Sequence, residues 1–443
     1  MTFGILSSLS TFISPAELML VTVFCLGYLA IIFESVLHID KAAWALLTGV
    51  CCWMIVYGYY DSFNIKNLDA VTDALNHNLY EISDIVFFLM SAMTIIELID
   101  SHNGFTIVAR LCKTKSPLML LYVCAGLSFF MSAILDNLTT TIVMVSILKR
   151  IVPDAKLRYV LGSIVVISAN AGGVWTPIGD VTTTMLWIKD RLTTVNIMQS
   201  LFIPSLVVLI TTCLIESFRM KTQFELTDTE QADETLNTTQ GSTGMFVLGL
   251  SSLIAVPVLR AIFNNKLPPF MAIFFGLSLL WIATDYYYRR MEGRDRLKVT
   301  HALTMIDSSC LLFFMGILLS VGALAEVGLL SRFSVFLRDV FVDDAPMAFV
   351  MGVVSGIIDN VPLVAASIEM YQDVAQNEPL WEMIALAAGT GGSITIIGSA
   401  AGIALMGMEQ ISFIWHLKRM FITSFVSYTA GFLCYYVMNF PLY

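Results

Sequence analysis

The sequence predicts an all-α polytopic membrane protein. It reads as two inverted repeats, each about five transmembrane helices plus a re-entrant hairpin, with interrupted helices meeting at the midplane. Three observations carry this. Of the 443 residues, 57% are hydrophobic and 13% are charged, and the mean hydropathy is +0.80; a soluble chain carries about 25% charge. Apolar runs of spanning length recur from end to end. Four further runs are broken by glycines, prolines and acids at places that match between the two halves. A β-barrel would show short alternating segments instead.

Uninterrupted runs lie near 17–36, 41–60, 83–100, 198–218, 244–263, 267–286, 305–328 and 411–437, each close to the ~20 residues that cross a bilayer core. The amino-terminal segment 1–16 has no Lys or Arg. It therefore lacks the basic region of a secretory signal and the arginines of a transit peptide.

The interrupted runs are 117–150 at LDNLTTT, 157–188 at NAGGVWTPIGD, 346–376 at IDNVP, and 380–409 at GTGGS and GSAAG. DNLT at 136 and DNVP at 359 are 223 residues apart, and the Gly-Gly pairs 172–173 and 391–392 are 219 apart. Thr176 then matches Thr395, and Gly179 matches Gly398. One unit used twice explains these offsets: repeat 1 at 17–218 and repeat 2 at 244–437. A hydrophilic linker, 219–243, joins them, and its acidic stretch FELTDTEQADETLNTTQ supplies much of the net charge of −10.

Orientation follows from basic residues, which favour the cytoplasmic side. Arg110, Lys113 and Lys115 precede the DNLT run, and Lys149, Arg150, Lys156 and Arg158 follow it. Both clusters belong on the cytoplasmic side, so 117–150 enters and leaves there as a re-entrant hairpin with its tip near 136–139. Arg289, Arg290, Arg294, Arg296 and Lys298 form a third cytoplasmic cluster. Few basic residues border the hairpin whose tip lies near 359–362, so it enters from outside. Five spans plus a hairpin invert the second half relative to the first, an arrangement typical of secondary transporters.

Acids at mid-depth in a membrane are costly and are usually functional. Asp136-Asn137 and Asp359-Asn360 occupy the two tips. Read as structure alone, they are helix N-caps; capping and binding can coexist. Asp180 follows Thr176-Pro177-Ile178-Gly179, where the backbone should be unwound, a state tolerated at depth only inside protein or beside water. Carboxylate, carbonyl, amide and hydroxyl oxygens together suit a small alkali cation, Na⁺ or Li⁺. Asn170, Thr139, Thr176 and Thr182 add oxygens in the first half. Ser393, Thr395 and Ser399 add them in the second, where Ser399 stands in place of Asp180. The expected site is therefore asymmetric, with carboxylates at 136, 180 and 359. Crowded carboxyls in low dielectric hold protons more tightly than in water, so one site can take either protons or a cation. Glu97 and Asp100 end the third span, beside His102, and are candidates for an access path. Glu34, His38, Asp40 and Glu326 are weaker candidates, and His301 and His416 read as interfacial.

The eight cysteines are scattered without metal-ligand spacing, and no basic patch suggests nucleic acid. The expected partners are the lipid bilayer and small cations, with no resident cofactor.

At these motifs a family resemblance emerges. SAILDNLTTTIVM, NAGGVWTPIGDVTTTMLWI, GIIDNVPLVAA and GTGGSITIIGSAAGIALMG resemble those of the NhaD-type sodium/proton antiporters. These belong to the ion transporter superfamily, with divalent-anion/sodium symporters and arsenite pumps. The likeness covers roughly 80–437. It implies exchange of Na⁺ or Li⁺ for H⁺ driven by the proton gradient. It also implies two hairpins, a mobile transport domain beside a scaffold, and a homodimer with elevator-like motion, in a bacterial inner membrane. Carried by motif, the functional residues are Asp136, Asn137, Thr139, Asn170, Asp180, Thr182, Asp359, Asn360, Ser393 and Ser399. One departure stands out: Leu135 precedes Asp136 where the family often has a second acid.

The nearest rival keeps the fold and changes the cargo to a carboxylate or oxyanion, symported with sodium. Helix N-termini could hold an anion, but three aspartates would repel it. An intramembrane aspartyl protease is disfavoured because Pro177-Ile178-Gly179-Asp180 lacks the first glycine of Gly-x-Gly-Asp and no Tyr-Asp lies within a span. A channel is disfavoured because broken helices in inverted repeats suit alternating access.

Overall fold

A computed structural model describes residues 14–112, 114, 116–220, 242–263, 266–289, 295–341 and 343–440. Residues 1–13 of the amino-terminal segment, 221–241 of the acidic linker, and Lys113, Lys115, Arg290 and Arg294 lie outside the described residues.

The described secondary structure is helical. The principal helices are α1 (Pro15–Ile32), α2 (Lys41–Gly58), α3 (Leu68–Ser101), α4 (Pro117–Leu135), α5 (Asn137–Ile151), α6 (Ala155–Val174), α7 (Val181–Ile188), α8 (Thr194–Met220) and α9 (Ser242–Ile262). They continue with α10 (Pro269–Tyr288), α11 (Ser308–Glu326), α12 (Leu329–Val340), α13 (Asp344–Ser355), α14 (Asn360–Met370), α15 (Pro379–Gly391), α16 (Ala400–Glu409) and α17 (Phe413–Asn439). Among the described residues, ten helices are long and apolar enough to cross a membrane. The eight uninterrupted runs read from the sequence correspond to α1, α2, α3, α8, α9, α10, α11 and α17. The third is longer than its apolar core: α3 begins at Leu68, fifteen residues before the hydropathy signal, because Asp69, Asp73, Asn76 and His77 mask a helix that starts in polar sequence.

The chain divides into two compact units: 1–86 with 307–342 and 365–372, and the remainder. Each unit takes residues from both halves of the sequence. In the first, α2 packs along α11, and the Trp53 indole donates to the Leu319 carbonyl at 2.9 Å. Leu20, Cys52, Val56, Val71, Ala323 and Leu324 form its core. Asp40 caps α2 by accepting from the Ala42 N–H at 2.8 Å and from Ser309 Oγ at 2.7 Å. Those two bonds hold its carboxyl below the usual carboxylate range. Glu34 Oε1 accepts from the Lys41 N–H at 3.1 Å. Both acids thus have structural duties. α12, LLSRFSVFLRDV, is amphipathic, too short and too polar to register in hydropathy as a span, and its Arg332 pairs with Glu17.

In the second unit, α6 is the central element, packed by α4, α5, α8, α15 and α16. From Leu157 to Val174 it is almost wholly buried, which is why its apolar surface runs all round rather than along one face. α15 is buried from Leu380 to Gly391 for the same reason.

Candidate functional site

Two pairs of helices are separated by single-turn breaks, and two are separated by longer ones. The chain turns at Asp136 between α4 and α5, and at 356–359 between α13 and α14. It unwinds over 175–180 between α6 and α7, and over 392–399 between α15 and α16.

The turns are tied to the unwound segments by matched contacts. A Cβ at Gly172 would lie well under 3.0 Å from the Phe129 backbone, and one at Gly391 would lie as close to the Gly352 backbone. No residue but glycine permits those approaches. Thr176 Oγ1 donates to the Ala133 carbonyl at 2.6 Å, and Thr395 Oγ1 donates to the Gly356 carbonyl. In each pair the residues leading into the turn are offset by 223 and those in or next to the unwound segment by 219. Thr176 and Thr395, expected among the cation ligands, thus direct their hydroxyls to backbone carbonyls.

Asp180 is the N-cap of α7. Its Oδ1 accepts from the Thr182 N–H at 3.1 Å, and its Oδ2 accepts from Asn137 Nδ2 at 3.1 Å and Asn360 Nδ2 at 3.4 Å. Asn137 Nδ2 also reaches Asn170 Oδ1 at 2.9 Å. Asn170 Nδ2 in turn donates to Ser393 Oγ at 2.8 Å and Ser399 Oγ at 3.0 Å. Ser399 caps α16 by accepting from the Gly402 N–H at 3.3 Å. One continuous network therefore joins both tips and both broken helices. Its members Asn137, Asn170, Asp180, Asn360, Ser393 and Ser399 are all buried, with Asp180 1% exposed. Among the described residues Asp180 has no cationic partner. Thr182 is buried beside it. Gly389 on α15 lies beside the carboxylate: a Cβ there would press into the Val174 side chain and reach ordinary contact, 3.6 Å, with Asp180 Oδ2. Its signal is a small residue within the buried run ALAAGTGG.

The other two aspartates bond at the starts of their own helices. Asp136 Oδ1 accepts from the Thr139 N–H at 2.7 Å, and Oδ2 accepts from Thr139 Oγ1 at 3.0 Å. Its backbone has φ 80° and ψ 162°, a region that is essentially glycine's and costs on the order of 1–3 kcal/mol. Asp136 also fronts a cavity of about 20 Å³ lined by Leu135, Ile178, Val181, Thr184 and Val256, room for about one water-sized species. Asp359 Oδ1 accepts from the Val361 N–H at 3.4 Å. No three His, Cys, Asp or Glu side chains among the described residues converge as ligands of one ion. The reason is local: each tip acid is engaged at the start of its own helix.

Glu97 and Asp100 lie in the last turns of α3 and form no hydrogen bond with the network. His102 just beyond is buried; its Nδ1 donates to the Leu98 carbonyl at 2.8 Å, and burial holds the imidazole below its ordinary value. Glu326 ends α11 exposed.

A family profile described as a citrate transporter matches residues 28–389. Sodium/proton antiporter 1 of Arabidopsis thaliana is 43% identical over 94% of this chain and 71% of its own length. Sodium/proton antiporter 2 of the same plant is 41% identical over 95% of this chain and 99% of its own. The Na⁺/H⁺ antiporter NhaD of Alkalimonas amylolytica is 29% identical over 96% and 91%. The chain is an integral membrane transporter that belongs to the citrate transporter family and, within it, to the NhaD-type sodium/proton antiporters.

Proposed function

We propose that this chain exchanges Na⁺ or Li⁺ for H⁺ across a membrane, with cation and proton competing for Asp180. One observation carries the reading: a carboxylate is buried in a membrane protein among neutral amide donors, with no cationic partner. A buried, uncompensated charge is expensive. Two species relieve it, a proton on the carboxyl or a small cation beside it, and the two exclude each other. Competition of this kind is exchange.

The chain's own residues divide the work. Asn137 and Asn360, one from each tip, orient the carboxylate. Asn170 passes the arrangement on to Ser393 and Ser399, whose hydroxyl oxygens can turn toward a bare cation. Asp136 and Asp359 carry the further charges that draw a cation to the tips, and movement of the tips would bring them in. The matched contacts at offsets of 223 and 219 support reading the halves as inverted repeats with re-entrant hairpins, and alternating access follows from that reading. The transported ions are substrates; no resident cofactor is invoked. A homodimer, and a membrane that sustains a proton gradient, such as a bacterial inner membrane, complete the proposal. The names of the relatives support the exchange of sodium for protons.

The family description favours a second reading, sodium-coupled symport of a carboxylate. An anion entering the network would meet the buried Asp180, which no described cation neutralises, and would be repelled by it.

The test is dye-reported ΔpH in proteoliposomes with an acid lumen. Adding NaCl or LiCl to the wild type should collapse the gradient, while KCl and choline chloride should not. The apparent KM for Na⁺ should rise as pH falls, because protons compete. A gradient that no cation collapses between about pH 6 and 9 would end the antiport reading and turn attention to sodium-dependent dicarboxylate uptake.

A further inference from the structure

Arg260 is 3% exposed near the end of α9, a helix of spanning length. An arginine inside a membrane bundle is costly and is kept there by specific partners. Its partners all belong to one short stretch of chain. Nη1 donates to the Trp187 carbonyl at 2.8 Å, and Nη2 donates to Asp190 Oδ1 at 2.7 Å. The guanidinium also lies 4.5 Å from the centroid of the Trp187 ring. Trp187 is the penultimate residue of α7, and Asp190 follows two residues after the helix, turned by φ 54°. Arg260 therefore sets its positive charge on the Trp187 carbonyl at the C-terminal end of α7, where the helix dipole is negative.

The other end of α7 is Asp180. Eight residues make barely two turns, too few to hold a helix in place by its own hydrogen bonds. We propose that Arg260 is a positioning residue for the cation site. From α9 it clamps α7 at its C-terminal end and so keeps the Asp180 carboxylate within reach of Asn137 and Asn360. The second half offers a parallel. α16, the other short half-helix, has the Lys149 ammonium on the carbonyl of its own penultimate residue, Met408. There the donor comes from the surface end of α5; for α7, the half-helix with the acid, it is buried and forked.

This inference rests on the antiport reading, and the experiment separates the two. Purified wild type, Arg260→Gln, Arg260→Lys and Asp190→Asn are reconstituted, and KM, kcat and the pH profile of Na⁺-driven exchange are measured beside equilibrium ²²Na⁺ binding. Arg260→Gln should raise the KM and the dissociation constant for Na⁺ about tenfold and displace the pH profile, with kcat within about threefold. Arg260→Lys should recover most of the loss, since an ammonium still reaches the Trp187 carbonyl. Asp190→Asn, an exposed change, should move KM the same way by less. Wild-type KM and pH profile in Arg260→Gln would overturn the clamp while leaving antiport intact; a wild type without exchange would instead overturn antiport. If Arg260→Gln does not accumulate, Asp190→Asn decides: a raised KM supports the clamp, and an unmoved one overturns it.

Discussion

At the first interruption an acid, Asp180, caps the short helix that follows; 219 residues on, Ser399 stands in the same place and caps its own helix. The backbone around the two breaks is nearly interchangeable. Gly172 and Gly391 meet the backbone of Phe129 and Gly352 in the same way, and Thr176 and Thr395 donate to equivalent carbonyls. The tips differ more: Asp136 is held at φ 80° with both carboxylate oxygens on Thr139, whereas Asp359, its counterpart, accepts from the Val361 N–H at 3.4 Å. The scaffold is shared, and the buried charge belongs to one half. An architecture of matched halves can therefore carry a site with a single acid at its centre.

The largest effect should come from attacking what the halves share. Gly172→Val and Gly391→Val each drive a side chain into backbone that cannot retreat, so neither protein should accumulate as a monodisperse species in detergent chromatography. Gly126→Ala on α4, which opens onto empty space, should behave as wild type. Normal accumulation of one valine variant but not the other would show that the halves pack differently. Next comes the feature they do not share. Asp180→Ser makes both breaks alike and should lower exchange by more than about 100-fold in an intact protein, while Ser399→Ala should cost no more than about tenfold. Equal losses would place Ser399 on the same footing as the acid.

Much of this was legible in the sequence, for physical reasons. Spans announce themselves by length and hydropathy. The breaks are visible because glycine, proline and aspartate have no cheap place inside a lipid-exposed helix. Asn137, Asn170, Asp180, Asn360, Ser393 and Ser399 stood out as polar residues in apolar runs. Their connectivity did not, because it depends on which rotamer reaches which helix. Thr176 and Thr395 look like ligands by composition, yet a threonine near a break serves equally well as a strut. Arg260 was hidden at the end of an otherwise apolar span, where a basic residue normally reads as an interfacial anchor. The polar first half of α3 and the amphipathic α12 escaped a hydropathy reading altogether.

The two tips can be compared directly through their amides. Asn137 Nδ2 lies 3.1 Å from Asp180 and also engages Asn170, whereas Asn360 Nδ2 lies 3.4 Å from Asp180. A hydrogen bond to a charged group contributes roughly 1.5–3 kcal/mol. Asn137→Ala should therefore raise the KM for Na⁺ about tenfold or more, and Asn360→Ala by several-fold. The reverse order would put the second tip at the centre of the site.

The smallest effect is the most searching, because it asks whether the shared scaffold is shared in energy as well as in shape. Thr176→Val and Thr395→Val each delete one buried hydroxyl and leave a backbone carbonyl, Ala133 or Gly356, without that donor. Valine has nearly the volume of threonine, so packing is preserved and the change isolates the hydrogen bond. Each should destabilise the protein by about 1–3 kcal/mol, read as a drop in the midpoint of heat-induced loss of the monodisperse peak. If the struts are equivalent, the two drops should match within experimental scatter, and since the sites are far apart in sequence and share no partner, the double variant should show their sum. Exchange should survive in both, because neither hydroxyl points into the Asp180 network. A Thr176→Val protein of wild-type stability but with a raised KM for Na⁺ would return that hydroxyl to the ligand role its sequence context suggests.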